Sequence, residues 1–133
     1  MKIYITGVRC KFIGQTNSVL CDFWNLGSDG KYRLFKSFCS DMYGCELWHL
    51  DNCKISDFCI AWRKALRRIW NVPYNTLCEL LYYLCKDLPV FDEICKRSLR
   101  FIAACLSHHC DLVRFFAWHD IVCAVCSRHM VDW

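Results

Sequence analysis

The chain has 133 residues, a formal net charge of +4, and a composition that is 56% apolar and 16% aromatic. This length suffices for one domain with a buried core, and the apolar content excludes an intrinsically disordered chain. No stretch reaches the roughly 18 uncharged apolar residues of a membrane span, so we expect no contact with a membrane, and the modest charge permits a polyanionic partner without requiring one.

The thirteen cysteines are an unusual feature of this composition. Their number is odd, and the opening MKIYITGVRC has no apolar region like that of a signal peptide. Disulfide frameworks are typical of small secreted proteins, so we expect an intracellular protein, in the nucleus or cytoplasm, with reduced cysteines. Cysteines at positions where a helix would bury a small apolar residue are Cys21, Cys39, Cys59, Cys95 and Cys105.

The first predicted elements are a short strand and two helices. KIYITGV alternates loosely between apolar and other residues, which favours a short N-terminal strand or an extended lead-in. From Lys11 the apolar residues recur at a spacing of three to four, which predicts a helix. After a glycine-containing loop, a second helix is predicted to begin near Ser28 or Asp29 and to end at Gly44.

The remaining predicted elements are all helices. Ser56 is a good N-cap for a third helix, and Pro73 is expected to end that helix a residue or two earlier. LCELLYYLC predicts a short apolar helix, and Pro89 suits the first position of the next one. A last helix begins near Leu112. The predicted fold class is therefore all-α, with five or six helices.

The third helix separates apolar from cationic residues. On a helical wheel, the apolar side chains from Phe58 to Trp70 fall on one side and the cations fall on the other. The cationic side contains no carboxylate that could pair with it from within the helix. Its members are Arg63, Lys64, Arg67 and Arg68.

A second group of cations lies on the following long helix, at Lys96, Arg97 and Arg100. Here Asp92 could pair with Lys96, and Glu93 with Arg97, at a spacing of four residues, which would partly neutralise the group. Each group could be a solvated helix face or a surface that contacts phosphates. The absence of carboxylates favours phosphate contact for the third helix only.

Three segments together carry a family pattern. They read FIGQTNSVLCDFWNLGSDGKYRLFKSFCSDMYGCELW, FCIAWRKALRRIWNVPYNT, and LPVFDEICKRSLRFIAACLS followed by LVRFFAWH. In order and spacing they resemble the region downstream of the polymerase core in non-LTR retrotransposon reverse transcriptases of the jockey and CR1 type. The resemblance covers roughly Phe12 to His119, and AWRKALRRIW is its most specific block.

The resemblance implies a thumb-like bundle within a single helical domain over residues 1–133. Thumb-like helices would occupy 11–50, and a post-thumb helical segment would occupy 51–133, divergent after 119. In the parent RNA-directed DNA polymerases this region grips the template–primer duplex. The partner implied is the backbone of an RNA–DNA hybrid or of RNA, and the residues predicted to contact it are Arg63, Lys64, Arg67, Arg68, Lys96, Arg97 and Arg100.

The sequence also departs from that family. Polymerases need carboxylates that hold two Mg²⁺ ions, and reverse transcriptases carry two of them as adjacent aspartates. This chain has no Asp-Asp pair and neither fingers nor palm. After NT, Leu77 and LLYYLC stand where the family usually has a histidine and then a Leu-Leu-Pro run, and DIVCAVCSRHMVDW diverges from the family. We therefore expect a fragment of an element copy that is not an enzyme by itself and that lacks its polymerase core. The alternatives are a stand-alone helical protein-interaction module and an inert remnant of a mobile element.

Two cysteine–histidine groups deserve comparison with metal sites. CLSHHC and CAVCSRH hold enough donors for tetrahedral zinc, but both lie in helix-like apolar sequence without the turn residues of a zinc knuckle. With so many cysteines, close spacings arise by chance. Pairing a cysteine nucleophile with a histidine base is equally unspecific. The sequence therefore predicts no metal ligand, no catalytic residue and no cofactor.

Overall fold

The computed structural model of this protein describes the backbone of residues 2–50 and 52–129 and the side chains of residues 4–50 and 52–123. The described residues form six α-helices, one short 3₁₀ turn and no strand, which confirms the all-α prediction. None of these helices, over the part of the chain described, is long and apolar enough to cross a membrane. The elements are α1 (Lys2–Asp22), α2 (Ser28–Cys39), a 3₁₀ turn (Cys45–Leu47), α3 (Cys53–Trp70), α4 (Cys78–Cys85), α5 (Val90–Leu106) and α6 (Asp111–His129).

The N-terminal strand predicted from the sequence is wrong, because α1 begins at Lys2 and continues through that segment. The helix buries Ile5, Phe12, Thr16 and Val19, whose spacing places them along one side of it. Packing of this side decides the conformation, since β propensity is a weak and context-dependent preference over so few residues.

The second helix ends earlier than predicted, at Cys39 rather than near Gly44. Gly44 instead precedes the 3₁₀ turn with a φ of 76°, a conformation that favours glycine. A Cβ at this position would lie 2.7 Å from the hydroxyl oxygen of Tyr4. That hydroxyl donates a hydrogen bond to the carbonyl of Tyr43, so the glycine lets α1 approach this loop closely.

The boundaries of α3 are set by two asparagines. The Oδ1 of Asn52 accepts a hydrogen bond of 2.9 Å from the backbone N–H of Lys54, so Asn52 is the N-cap. The prediction that Ser56 caps this helix is wrong, because Ser56 lies one turn inside it. The helix ends at Trp70, followed by Asn71 in the left-handed conformation, three residues before Pro73 and thus one residue earlier than predicted.

An aromatic core joins the first three helices. The ring of Phe12 in α1 stacks on Trp62 in α3 at 5.2 Å between centroids, and its edge meets Phe35 of α2 at 5.7 Å. Phe58 in α3 lies 5.3 Å from the same Phe12 ring. The predicted apolar side of α3 is therefore confirmed, and the cations point away from this core.

The chain forms two compact units, Met1–Cys95 and Lys96–Trp133. The described apolar side chains that are fully buried belong to the first unit, from Ile5 to Ile94. The resemblance implies a boundary between thumb-like and post-thumb helices at residue 50, and this position lies within the first unit. The assignment of a single domain stays a prediction.

The described cysteines are free thiols, and only some of them lie where the sequence placed them. Burial is confirmed for Cys39 and Cys59, whereas Cys21 is exposed because it lies on the outer side of α1. Cys95 and Cys105 are half-buried. Small apolar character therefore does not by itself determine which of these cysteines faces the core.

Candidate nucleic-acid interface

The four cations of α3 divide into two pairs with different surroundings. Arg63 and Arg67 are half-buried on one flank of the helix, whereas Lys64 and Arg68 are exposed on the other. This division follows from the turn of about 100° between successive residues, which separates each adjacent pair. The helical wheel places all four cations outside the core, but it does not distinguish the half-buried pair from the exposed pair.

Arg67 holds the connector between α3 and α4. Its Nη2 donates a hydrogen bond of 3.0 Å to the backbone carbonyl of Thr76, and its guanidinium carbon lies 5.7 Å from the centre of the Tyr74 ring. The Sγ of Cys78 lies 3.9 Å from the same nitrogen. Arg67 is thus engaged in intramolecular contacts that position the chain after the helix.

Arg63 lies on the same flank and faces α4. Burial raises the pKa of Tyr82, and a hydrogen bond with the guanidinium of Arg63 opposes that rise. Burial also raises the pKa of the Cys59 thiol, again opposed by the positive charge of Arg63. This arginine therefore interacts with a polar group of α4, Tyr82, and with one of α3, Cys59.

Lys64 and Arg68 line a groove between α1 and α3, which we call the α1–α3 groove. It has a volume of about 240 Å³, and Arg9 of α1 contributes a third cation to its lining. No carboxylate lines it among the described residues. The lining side chains are Arg9, Phe12, Ile13, Thr16, Asn17, Ile60, Ala61, Lys64, Ala65 and Arg68.

Arg68 is held across the groove by a neutral partner. Its Nη1 donates a hydrogen bond of 2.7 Å to Oδ1 of Asn17 in α1. Since the amide oxygen carries no charge, the guanidinium is oriented without being neutralised. None of the ion pairs in the described part of the chain involves Arg9, Lys64 or Arg68.

Arg9 is not among the residues predicted to contact nucleic acid, because it lies between the strand predicted over 2–8 and the helix predicted from Lys11. It is half-buried, and its Nε–H is buried without a hydrogen-bond partner among the described residues. The signal that could have found it is the helical spacing of Arg9, Ile13, Thr16 and Asn17, which brings them to one side of α1. Only a helical interpretation of the N-terminal segment reveals that pattern.

The second predicted cluster lies on α5, in the second compact unit. Lys96 and Arg100 are exposed and Arg97 is half-buried. Lys96, Arg97 and Glu93 each take part in an intramolecular interaction. Lys96 and Arg97 are therefore less available to a ligand than the exposed Lys64 of the α1–α3 groove.

A polar cluster at the end of α4 ties that helix to α2. The Tyr32 hydroxyl donates a hydrogen bond to the carboxylate of Asp87, and Nζ of Lys36 lies 3.0 Å from the same carboxylate. Burial, followed by the bond to Asp87, strongly raises the pKa of Tyr32. Burial raises the pKa of the Asp87 carboxyl group. The hydrogen bonds with Tyr32 and Lys36 and the charge of Lys36 outweigh this effect, so the pKa is lowered overall. The cluster therefore contributes to the packing of α4 and the residues that follow it against α2.

The cysteine and histidine groups form no metal centre in the described part of the chain, where no three His, Cys, Asp or Glu side chains could hold a metal ion. The side chains of Cys126 and His129 lie outside the described residues. The backbone N–H groups of Val113 and Leu112 at the start of α6 lower the pKa of the Cys110 thiol.

Comparison with known proteins assigns no family to this chain. Neither the protein-family models, nor the curated proteins, nor the solved structures match this chain. The resemblance to reverse transcriptases therefore stays a prediction.

Proposed function

We propose that this protein binds the phosphate backbone of nucleic acid through the α1–α3 groove, as a thumb and post-thumb fragment of a non-LTR retrotransposon reverse transcriptase. One observation carries the proposal: Arg9, Lys64 and Arg68 converge on a groove that no described carboxylate lines. Cations that release the counterions of phosphates supply most of the affinity of non-specific nucleic-acid binding.

The geometry supports this role in two ways. Asn17 orients Arg68, which lowers the conformational entropy lost when a phosphate binds. Lys64 is exposed, so its ammonium group is accessible to a ligand without breaking an ion pair in the described structure. Arginine and lysine are complementary here, since one offers a planar fork of donors and the other a mobile point charge.

The other predicted contact residues receive different roles within the proposal. Arg63 and Arg67 do not line the groove and instead hold the region that follows α3. Phosphate contacts by Lys96, Arg97 and Arg100 remain predictions that follow from the resemblance alone. The polymerase core of the parent enzyme is the expected protein partner, and without its aspartates we expect no polymerase activity from this chain.

The test is a salt titration of binding to a fluorescent RNA–DNA hybrid, measured by anisotropy. For K64Q/R68Q we expect weaker binding at low salt. The slope of log affinity against log salt concentration should decrease in magnitude by about 1.5 to 2, because two phosphate contacts are lost. Both side chains are exposed, so circular dichroism should show an unchanged helix content.

The matched control is K11Q/R33Q, which removes the same charge from exposed residues outside the groove. We expect its salt dependence to equal that of the original chain. Equal losses in both variants would show that net charge alone governs binding. Affinity that is independent of salt would contradict backbone contact altogether.

A protein-binding role is the second candidate, and it has its own structural support. α6 exposes the large apolar side chains Leu112, Phe115, Phe116 and Val122, whose spacing places them on one side of the helix. Exposed apolar patches of this kind often mark interaction surfaces. In that case, substituting these residues would abolish partner binding, whereas K64Q/R68Q would leave it intact.

A further inference from the structure

The α1–α3 groove combines its cations with apolar walls. Ile13 of α1 is 38% exposed and Ile60 of α3 is 41% exposed, and both line the groove together with Lys64 and Arg68. Ala61 and Ala65, whose side chains end at Cβ, also line the groove. The same groove therefore offers both cations and apolar side chains to a ligand.

This combination distinguishes between the forms of nucleic acid. A duplex presents phosphates and sugars outward and keeps its bases stacked inside, so it has no unstacked base to place against the two isoleucines. A single strand presents its phosphates on one side and an unstacked base on the other. Only a single strand can use the cations and the apolar walls at the same time.

The dimensions of the groove agree with this distinction. The axes of two packed helices are separated by about 8–10 Å, so the gap between their side chains is narrower than any duplex. A volume of about 240 Å³ is enough for part of one nucleotide. A duplex would reach only the rim cations, and the isoleucines would remain in water.

We infer that the α1–α3 groove binds single-stranded RNA or DNA, with a phosphate held by Arg9, Lys64 and Arg68 and the attached base packed against Ile13 and Ile60. This inference rests on the proposed function, because it identifies the form of nucleic acid that the same groove takes. It differs from the duplex contact that the family resemblance implies.

The experiment compares a fluorescent oligouridine with an RNA–DNA hybrid of equal length, using the full chain and the variant I13S/I60S. We expect the original chain to bind the single strand more tightly than the hybrid. I13S/I60S should weaken binding of the single strand by about tenfold, since it removes apolar contact, and should leave hybrid affinity unchanged. In this variant, the salt dependence of binding to both probes should stay the same, because no charge is altered.

The control variant is L47S/L77S, which replaces two exposed leucines outside the groove. It should bind both probes as the original chain does. If I13S/I60S does not fold, Ile60→Ala alone provides the same comparison, with a smaller loss of about threefold.

The outcomes separate the inference from the proposal on which it rests. If both probes bind equally and neither isoleucine substitution affects either affinity, the single-strand inference is wrong while backbone binding stands. If neither probe binds at all, both are wrong. Selective loss of single-strand binding in the isoleucine variants supports both.

Discussion

At the scale of single residues, the cations of α3 have different tasks even though they follow one another in the chain. Arg67 donates to the Thr76 carbonyl and packs against Tyr74, while Lys64, three residues earlier, is exposed. Removing a charged donor from a half-buried carbonyl leaves that carbonyl without a partner, which costs more than removing a solvated ammonium group. The two substitutions should therefore affect folding differently.

We expect Arg67→Met to lower the free energy of unfolding by about 1–2 kcal/mol, because methionine keeps part of the apolar stem but donates no hydrogen bond. Lys64→Met should change it by less than about 0.5 kcal/mol. Urea denaturation followed by circular dichroism measures both. Equal stability of the two variants would show that Arg67 does not hold the connector.

At the scale of elements, the caps rather than the interior residues decide where α3 begins. Asn52 and Ser56 are both residues that favour an N-cap, and the sequence alone did not choose correctly between them. Ile55 is almost completely buried, so the turn that contains it must already be helical to direct that side chain into the core. Tertiary packing therefore moves the start of the helix toward Asn52.

The cap can be tested by comparing two alanine substitutions. Asn52→Ala should lower the free energy of unfolding by about 1 kcal/mol, because the N–H of Lys54 loses its acceptor. Ser56→Ala should be neutral or slightly stabilising, because alanine is the better helix former at an exposed interior position. Chemical denaturation of both variants measures the difference. A greater loss for Ser56→Ala would contradict the observed helix start.

At the scale of the whole molecule, the fully buried apolar side chains of the described residues all lie in the first compact unit. Phe12 links three helices there through its contacts with Phe35, Phe58 and Trp62. In the second unit, large apolar side chains such as Phe116 remain exposed. The cooperative stability of the chain should therefore come from the first unit.

We expect Phe12→Ala to lower the free energy of unfolding by about 3–5 kcal/mol, which is a large part of the total for a small domain. Phe116→Ala removes the same atoms from a side chain that is 58% exposed, so its effect should stay below about 1 kcal/mol. Thermal denaturation should show this contrast. A comparable loss for Phe116→Ala would mean that the second unit has a core of its own.

The amphipathic pattern of this sequence determined the fold class and the separation of core and cations on α3. Both depend on local periodicity, since a stripe of Phe58, Trp62 and Ile69 can be buried only from one side of a helix. The proline at residue 73 and the acidic first turn of α5 likewise marked helix ends through local chemistry.

Only the tertiary structure decided which cations share a site. Arg9 and Arg68 are far apart in the chain, and they line one groove because Phe12 packs on Trp62 and brings α1 beside α3. The same packing stabilises a helix in the N-terminal segment, although its residues have a high β propensity. Local periodicity tells which side of a helix is polar, but the partner of that side is fixed by long-range burial, which no single segment of sequence contains.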